Sequence, residues 1–321
     1  MARPRIAVLT SGGDAPGMNA AVRAVVRIAI ANGADAVAVH HGYEGLIDGD
    51  FTDMQLGSVG GILDRGGTFI GTSRSERMFT VEGLDRATQQ LVDHGVTGLV
   101  VIGGDGSYRA AEELHNRGVK VIGIPGTIDN DIAATDTTIG FDTAQNTICD
   151  ATSKVRDTAS SHERTFIIEV MGRHCGMLAL YAGLAAGADC ILVPEVPWKL
   201  EDICASVEQG VARGKKHSII VMAEGAGHAF GVAEDLSSLC GHKVRAVVLG
   251  HIQRGGAPSA FDRTLGSRMG AAAVEALLAG ESGKAVCLKN ADMELYTLRE
   301  CYSKHHEMKK HIYDLAMVLA R

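Results

Sequence analysis

Two carboxylates, Asp129 and Asp131, stand two residues apart in the segment Pro125-Gly126-Thr127-Ile128-Asp129-Asn130-Asp131. An apolar run from Val119 to Ile124 stops at Pro125-Gly126, the composition of a strand giving way to a loop. In an extended loop, side chains two apart point the same way. One carboxylate could then take a proton while the other holds a metal ion. An acidic turn without chemistry is the competing reading, because Asp and Asn favour turns on their own account. A third carboxylate, Asp105, lies inside Gly103-Gly104-Asp105-Gly106-Ser107, directly after the apolar run Gly98–Ile102, and a helix is predicted to start near Tyr108. Backbone N–H groups at a helix N-terminus attract anions. A carboxylate among them repels a phosphate unless a cation lies between, which makes Asp105 a Mg²⁺ candidate. Asp is also a good helix cap.

Other loops carry compatible chemistry. Ser11-Gly12-Gly13-Asp14-Ala15-Pro16-Gly17 joins a short apolar strand, Ile6–Thr10, to a helix over Met18–Ala31. That is either a phosphate cradle or a tight turn, and it matches neither GxGxxG nor GxxxxGK[ST]. Residues 65–74 form a glycine-rich loop with Arg65 and Arg74 at its ends. His40 and His41 read as loop histidines beside Tyr43. Later strands end in Met171-Gly172-Arg173, in Glu224-Gly225 and in the run Gly250 to Gly256, which holds His251 and Arg254.

The elements that must position these loops alternate without a break. Strands are predicted at 36–39, 98–102, 165–170, 189–193, 218–222, 245–249 and 285–288. Helices are predicted at 83–94, 142–156, 174–186, 200–212 and 261–278, with a helical tail from Ser303. Such alternation predicts an α/β fold with mostly parallel sheets, and ligands in such folds bind at the carboxyl ends of strands. The number of strand–helix units exceeds one sheet, so two packed subdomains are expected. Composition agrees: the 321 residues are 46% hydrophobic and 21% charged, and the 40 glycines cluster after apolar runs. A net charge of −7 and a single Trp argue against a nucleic-acid surface. No apolar run is long enough for a membrane span, and no signal-peptide core precedes the first strand. The seven Cys are widely spaced without a CxxC pair and are expected to be reduced core residues of a cytoplasmic protein.

The motifs TSGGDAPGMNAAVR (10–23), GGDGS (103–107), PGTIDND (125–131), EVMGR (169–173) and GHIQRGG (250–256) resemble the 6-phosphofructokinase family, in its bacterial-type ATP-dependent branch. The match runs from about residue 5 to 290, and the pair PGTIDND and GHIQRGG is the specific part. The resemblance implies two similar subdomains of mostly parallel sheets flanked by helices, with the active site in the cleft between them. Residues 1–140 plus 253–303 would be the larger, ATP-binding part, and 141–252 plus 304–321 the smaller, sugar-phosphate part. It implies transfer of a phosphoryl group from MgATP to the 1-hydroxyl of fructose 6-phosphate. Asp129 would be the general base, Thr127 would touch the transferring phosphate, and Arg74 and Arg173 would neutralise its charge. Gly12, Tyr43, Arg74, Gly104, Asp105, Gly106 and Ser107 would hold ATP, with Asp105 and Asp131 managing Mg²⁺. Met171, Gly172, Arg173, Glu224, His251 and Arg254 would hold the sugar phosphate. Arg164 and Arg245 would reach the 6-phosphate from a neighbouring subunit of a homo-oligomer, a tetramer by resemblance.

In pyrophosphate-dependent relatives an Asp replaces the glycine of the GGDG motif at position 106, and a Lys replaces the glycine of PGTIDND at position 126. Both are Gly here, which favours an adenosine nucleotide. Arg23, Arg27, Arg156, Asp189, Lys215 and His217 match the family's pocket for ADP or phosphoenolpyruvate. Asp189 replaces a Glu in that pocket, and Leu56 stands where a basic ligand is common.

Overall fold

The computed structural model describes residues 3–304, 306 and 308–320. The chain divides into two compact units, the first reaching to Thr143 and resuming at Arg254–His306, the second formed by Ala144–Gln253 and the C-terminal helix. In chain order the first unit contains β1 (Arg5–Thr10), α1 (Met18–Ala31), β2 (Asp35–Val39), α2 (Gly42–Asp48), β3 (Phe51–Met54), α3 (Val81–Asp93), β4 (Gly98–Gly103), α4 (Asp105–Asn116) and β5 (Val121–Pro125). Helix α5 (Phe141–His162) leads into the second unit. There follow β6 (Thr165–Val170), α6 (Met177–Ala185), β7 (Cys190–Leu192), α7 (Leu200–Ala212), β8 (Ser218–Ala223), α8 (Ala229–Cys240) and β9 (Val244–Val248). The chain then returns through α9 (Ala260–Leu278), β10 (Lys284–Lys289), β11 (Asp292–Thr297) and α10 (Leu298–Tyr302), and ends in α11 (Lys310–Leu319).

The first unit has a seven-stranded sheet in the order β11-β10-β5-β4-β1-β2-β3. Its five inner strands are parallel, and the two edges, β3 and β11, run antiparallel to their neighbours. Strand β4 is buried at every position. This accounts for its unbroken apolar sequence, since a parallel strand covered on both faces has no polar side. One face packs on α1 and α9, which lie close because Gly266 and Gly270 of α9 meet the α1 backbone at Ala21, where a Cβ would collide. The opposite face, including Leu9, Val39, Val101 and Val121, forms a core with Leu46, Leu84, Tyr108 and Leu298 from α2, α3, α4 and α10. The second unit has a four-stranded parallel sheet, β7-β8-β6-β9. Its core gathers Ile167, Leu192, Ile220, Ile203 and Leu236.

The parallel α/β architecture expected from the alternation is present. Details differ: the C-terminal helix begins at Lys310, not at Ser303, and α10 was not expected. Short polar edge strands β3 and β11 were hidden by their composition. Helix α8 occupies a stretch to which the sequence assigns no element. Tyr43, expected in a loop, lies in α2. The cysteines are not all reduced: Cys204 of α7 and Cys240 of α8 form a disulfide, with Cα atoms 5.7 Å apart. Their separation of 36 residues conceals that α7 and α8 pack side by side. No helix among the described residues is long and apolar enough to cross a membrane.

Candidate active site

Three loops of the first unit leave neighbouring parallel strands at their carboxyl ends. After β1, Gly12 takes φ +87°, a conformation that costs glycine nothing. Its N–H donates to the Ser73 carbonyl at 3.1 Å, and Thr72 Oγ1 donates to the Gly12 carbonyl at 2.9 Å. The segment that carries Arg74 is thereby tied to the β1 loop, and Arg74 itself is exposed. At Gly13 a Cβ would run into the guanidinium of Arg254, whose Nη1 donates to the Asp14 carbonyl at 2.9 Å. Arg254, from the GHIQRGG run, therefore supports this loop directly.

After β4 the chain enters α4 at Asp105, three residues earlier than the sequence reading placed it, with Gly104 as N-cap. The Asp105 carboxylate is paired with Arg109, one turn later, at 2.9 Å. Ser107 Oγ donates to the Ser11 carbonyl at 3.2 Å, locking the β1 and β4 loops together. Tyr43 is only 2% exposed, and its hydroxyl donates to the Ser107 carbonyl at 2.7 Å. Burial pushes that hydroxyl far above its ordinary pKa. Tyr43 thus props the start of α4 from beneath. On the solvent side of the same turn, a Cβ at Gly106 would meet nothing within 4 Å.

The loop after β5 is closed on itself. Gly126 and Ile139 form a bridge; Thr127 N–H donates to the Ile139 carbonyl at 3.1 Å, and Ile139 N–H to Pro125 at 2.9 Å. Thr138 Oγ1 donates to the Thr127 carbonyl at 2.6 Å, and Asp129 N–H donates to Thr127 Oγ1 at 3.2 Å. Asp129 is 2% exposed, whereas Asp131 is half-buried. Between them Asn130 takes φ +53° and accepts from Thr138 N–H at 2.9 Å. The two-residue alternation assumed extended backbone, and this left-handed turn removes that basis for Asp129 and Asp131 sharing a side.

In the second unit the loops after β6 and β8 meet. Arg173 takes φ +52°, and its N–H donates to Glu224 Oε1 at 2.8 Å. Gly225 has to be glycine there, since a Cβ would strike the Arg173 carbonyl. Met171 N–H donates to Oε1 of Gln253 at 3.2 Å, and the fully buried Gln253 donates to the Gly250 carbonyl at 2.9 Å. The strand ends carrying Met171, Gly172, Arg173, Glu224 and His251 are thus joined by side chains, those of Glu224 and Gln253, bonded to backbone. Glu169 accepts from Ala229 N–H at 2.7 Å and so fixes the start of α8. Arg164 is half-buried just before β6. Arg245 is exposed on the edge strand β9, and His251 is exposed in the turn that follows.

The expected effector residues fall in both units. Lys215 is ion-paired with Asp189, which also accepts from Ile219 N–H at 2.7 Å. Arg156 caps α6 by donating to the carbonyls of Ala186 and Gly187. His217 is half-buried just before β8. In the first unit Arg23 and Arg27 are half-buried on α1, with Arg27 Nη2 3.5 Å from the carbonyl of Leu56. Two supporting residues escaped the sequence reading. Arg109 was findable from its four-residue spacing to Asp105 on one helix. Gln253 sits in a quoted motif, but nothing local signals that its amide reaches Met171.

Asp105 and Asp131 supply hard carboxylate oxygens, the donors Mg²⁺ takes, and Asp105 is paired with the exposed Arg109 in the first turn of α4. Among the described residues no three His, Cys, Asp or Glu cluster as a metal cage. Mg²⁺ at a nucleotide needs none, because phosphate oxygens and water fill most of its octahedron. The residues present fit that ion.

The phosphofructokinase family model matches residues 5–277. The ATP-dependent 6-phosphofructokinase of Brevibacillus brevis is 54% identical over 316 residues, which is 98% of this chain and 99% of that protein. The structure of phosphofructokinase from Saccharomyces cerevisiae superposes with a TM-score of 0.88 at 37% identity, covering 99% of this chain and 47% of that one. This chain thus spans about half the length of the yeast chain. A pyrophosphate-dependent phosphofructokinase from Marinobacter aquaeolei is 26% identical, with a TM-score of 0.86 over 96% of this chain and 86% of that one.

Proposed function

We propose that this chain, which belongs to the phosphofructokinase family, transfers the terminal phosphoryl group of MgATP to the 1-hydroxyl of fructose 6-phosphate. The products are fructose 1,6-bisphosphate and ADP. The observation that carries this reading is the buried Asp129 in a loop whose two ends are bridged at Gly126 and Ile139. Phosphoryl transfer asks a protein mostly for positioning and charge neutralisation. A carboxylate fixed by its own backbone supplies the one proton acceptor that the attacking hydroxyl needs. The hydroxyl oxygen forms a bond to the γ-phosphorus, the bond to the bridging oxygen breaks, and ADP departs. The hydroxyl proton passes to Asp129, late, because the transition state is loose.

Thr127 contacts the moving phosphate, and Arg74 and Arg173 offset its charge. Gly12, Gly104, Gly106 and Ser107 present backbone to the nucleotide, and Tyr43 acts through the α4 turn it supports. The first unit is the nucleotide part. In the second, Met171, Gly172, Arg173, Glu224 and His251 bind the sugar phosphate, together with Arg254 of the first. Asp105 and Asp131 hold Mg²⁺, which when bound neutralises phosphate charge. Arg164 and the exposed Arg245 serve a neighbouring subunit's 6-phosphate in a homotetramer working in the cytoplasm. Arg23, Arg27, Arg156, Lys215 and His217 take an anionic effector, ADP or phosphoenolpyruvate, which must compete with Asp189 for Lys215.

Product analysis tests the reaction. Incubated with MgATP and fructose 6-phosphate, the protein is expected to give fructose 1,6-bisphosphate and ADP in equal amounts. Equal or faster turnover with pyrophosphate as donor would overturn the nucleotide assignment.

A further inference from the structure

The loop that carries Asp129 is tied off at its far end by a residue outside every motif considered above. Asp262, near the start of α9, is 0% exposed. Its Oδ1 accepts from Gly140 N–H at 2.9 Å. Its Oδ2 accepts from Thr143 N–H at 2.8 Å and from Thr143 Oγ1 at 2.5 Å. These donors are the last residue of the loop and the first turn of α5. The Asp262 N–H is itself capped by Ser259 Oγ at 3.2 Å, so the carboxylate is held by its own helix terminus. Gly140 has φ +102°, and a Cβ added there would collide with Ala15 of the β1 loop. The position therefore has no space for a side chain.

The bonds continue in sequence toward the reacting group. Gly140 adjoins Ile139, whose carbonyl accepts from Thr127 N–H, and Thr127 Oγ1 accepts from Asp129 N–H. Thr138 closes the same path through the Thr127 carbonyl. A buried carboxylate is costly unless hydrogen-bonded, and here each bond it accepts comes from the one segment that returns from Asp129. A hydrophobic residue could fill this space, but it would leave the Gly140 and Thr143 N–H groups without acceptors.

We infer that Asp262 is a positioning residue for the phosphoryl-transfer step, setting the place of Asp129 by anchoring the Gly140 end of its loop. The inference rests on the reading of Asp129 as the base. A misplacement of about 1 Å can lower a rate on the order of a hundredfold without contact between the mutated residue and the substrate.

Asp262→Asn keeps the shape and turns an amide donor toward N–H groups that need acceptors. The expected result is a fall in kcat of about ten- to a hundredfold with KM for ATP within about twofold. Hydrogen exchange should quicken in residues 126–140 and the first turn of α5. Leu265→Ala, a buried α9 position whose apolar side chain makes none of these hydrogen bonds, should lower Tm at unchanged kcat. Should Asp262→Asn fail to fold, Thr143→Val, which removes the hydroxyl's bond to Asp262 and the one it accepts from Ser259 N–H, carries the test, with kcat expected to fall several-fold. Unchanged kcat in Asp262→Asn, or in Thr143→Val when that variant carries the test, would overturn the inference, as would a loss no larger than that of a Leu265→Ala control of equal Tm. Asp129→Asn separates the two ideas. If it retains activity the base assignment fails, whereas if it is inactive while Asp262→Asn is fully active, only the positioning role fails.

Discussion

At Gly106 an added side chain would meet open space, whereas at Gly126 a Cβ would lie 3.0 Å from Ile102 Cγ2 and Met18 Cε, both fully buried. Two glycines that the family resemblance ties to the choice of phosphoryl donor thus differ in what they tolerate. Gly106→Asp should fold normally and raise KM for ATP, since its charge would face the triphosphate. Gly126→Lys should destabilise the protein by ~1–3 kcal/mol through overpacking. Thermal melts beside ATP titrations check both. Residue types at the site were legible, because carboxylates and glycines after apolar runs are visible in a string of letters. The backbone at Asn130 was not. Its left-handed turn separates the surroundings of Asp129 from those of Asp131, and only the completed loop with Thr138 forces it. Tyr43 was legible as a member of the site but not as a buried prop, because the partner that holds its hydroxyl is 64 residues away.

The elements follow local rules where burial is one-sided and lose legibility where it is not. Strand β6 and helices α1 and α7 match the sequence reading residue for residue, since apolar spacing defines each. Edge strands β3 and β11 expose half or more of their positions, so no sustained apolar run marks them. Helix α3 starts at Thr80, whose Oγ1 accepts from Gly83 N–H at 3.1 Å. Thr80→Ala should cost about 1 kcal/mol and leave kcat unchanged, because Thr80 is exposed and its hydrogen bonds stay between Arg77 and Leu84. Denaturant melts and steady-state rates measure the two effects separately.

For the molecule as a whole, Asp262 gives stability a pH dependence with a definite sign. Burial pushes its carboxyl from the ordinary 3.8 up to about 6, against the bonds from Thr143 and Gly140 and with the nearby charge of Asp142 on α5. Folding therefore takes up a proton between those values. The contribution is complete below about 3.8 and is lost as pH rises through about 6. Melts across that window should be steeper for the wild type than for Asp262→Asn, whose amide does not titrate. The division of the fold into two α/β units was foreshadowed by the count of strand–helix repeats. The disulfide was not, because its cysteines lie 36 residues apart and meet only when α7 and α8 pack.

Everything proposed for the reaction converges on Asp129. The most direct measurement is kcat and both KM values of Asp129→Asn, a substitution of equal size in the same bonded loop, with MgATP and fructose 6-phosphate. The account predicts a kcat lower by about 10² to 10⁴, with KM values changed little and the melting curve retained. A variant that turns over within a few-fold of the wild type would contradict it.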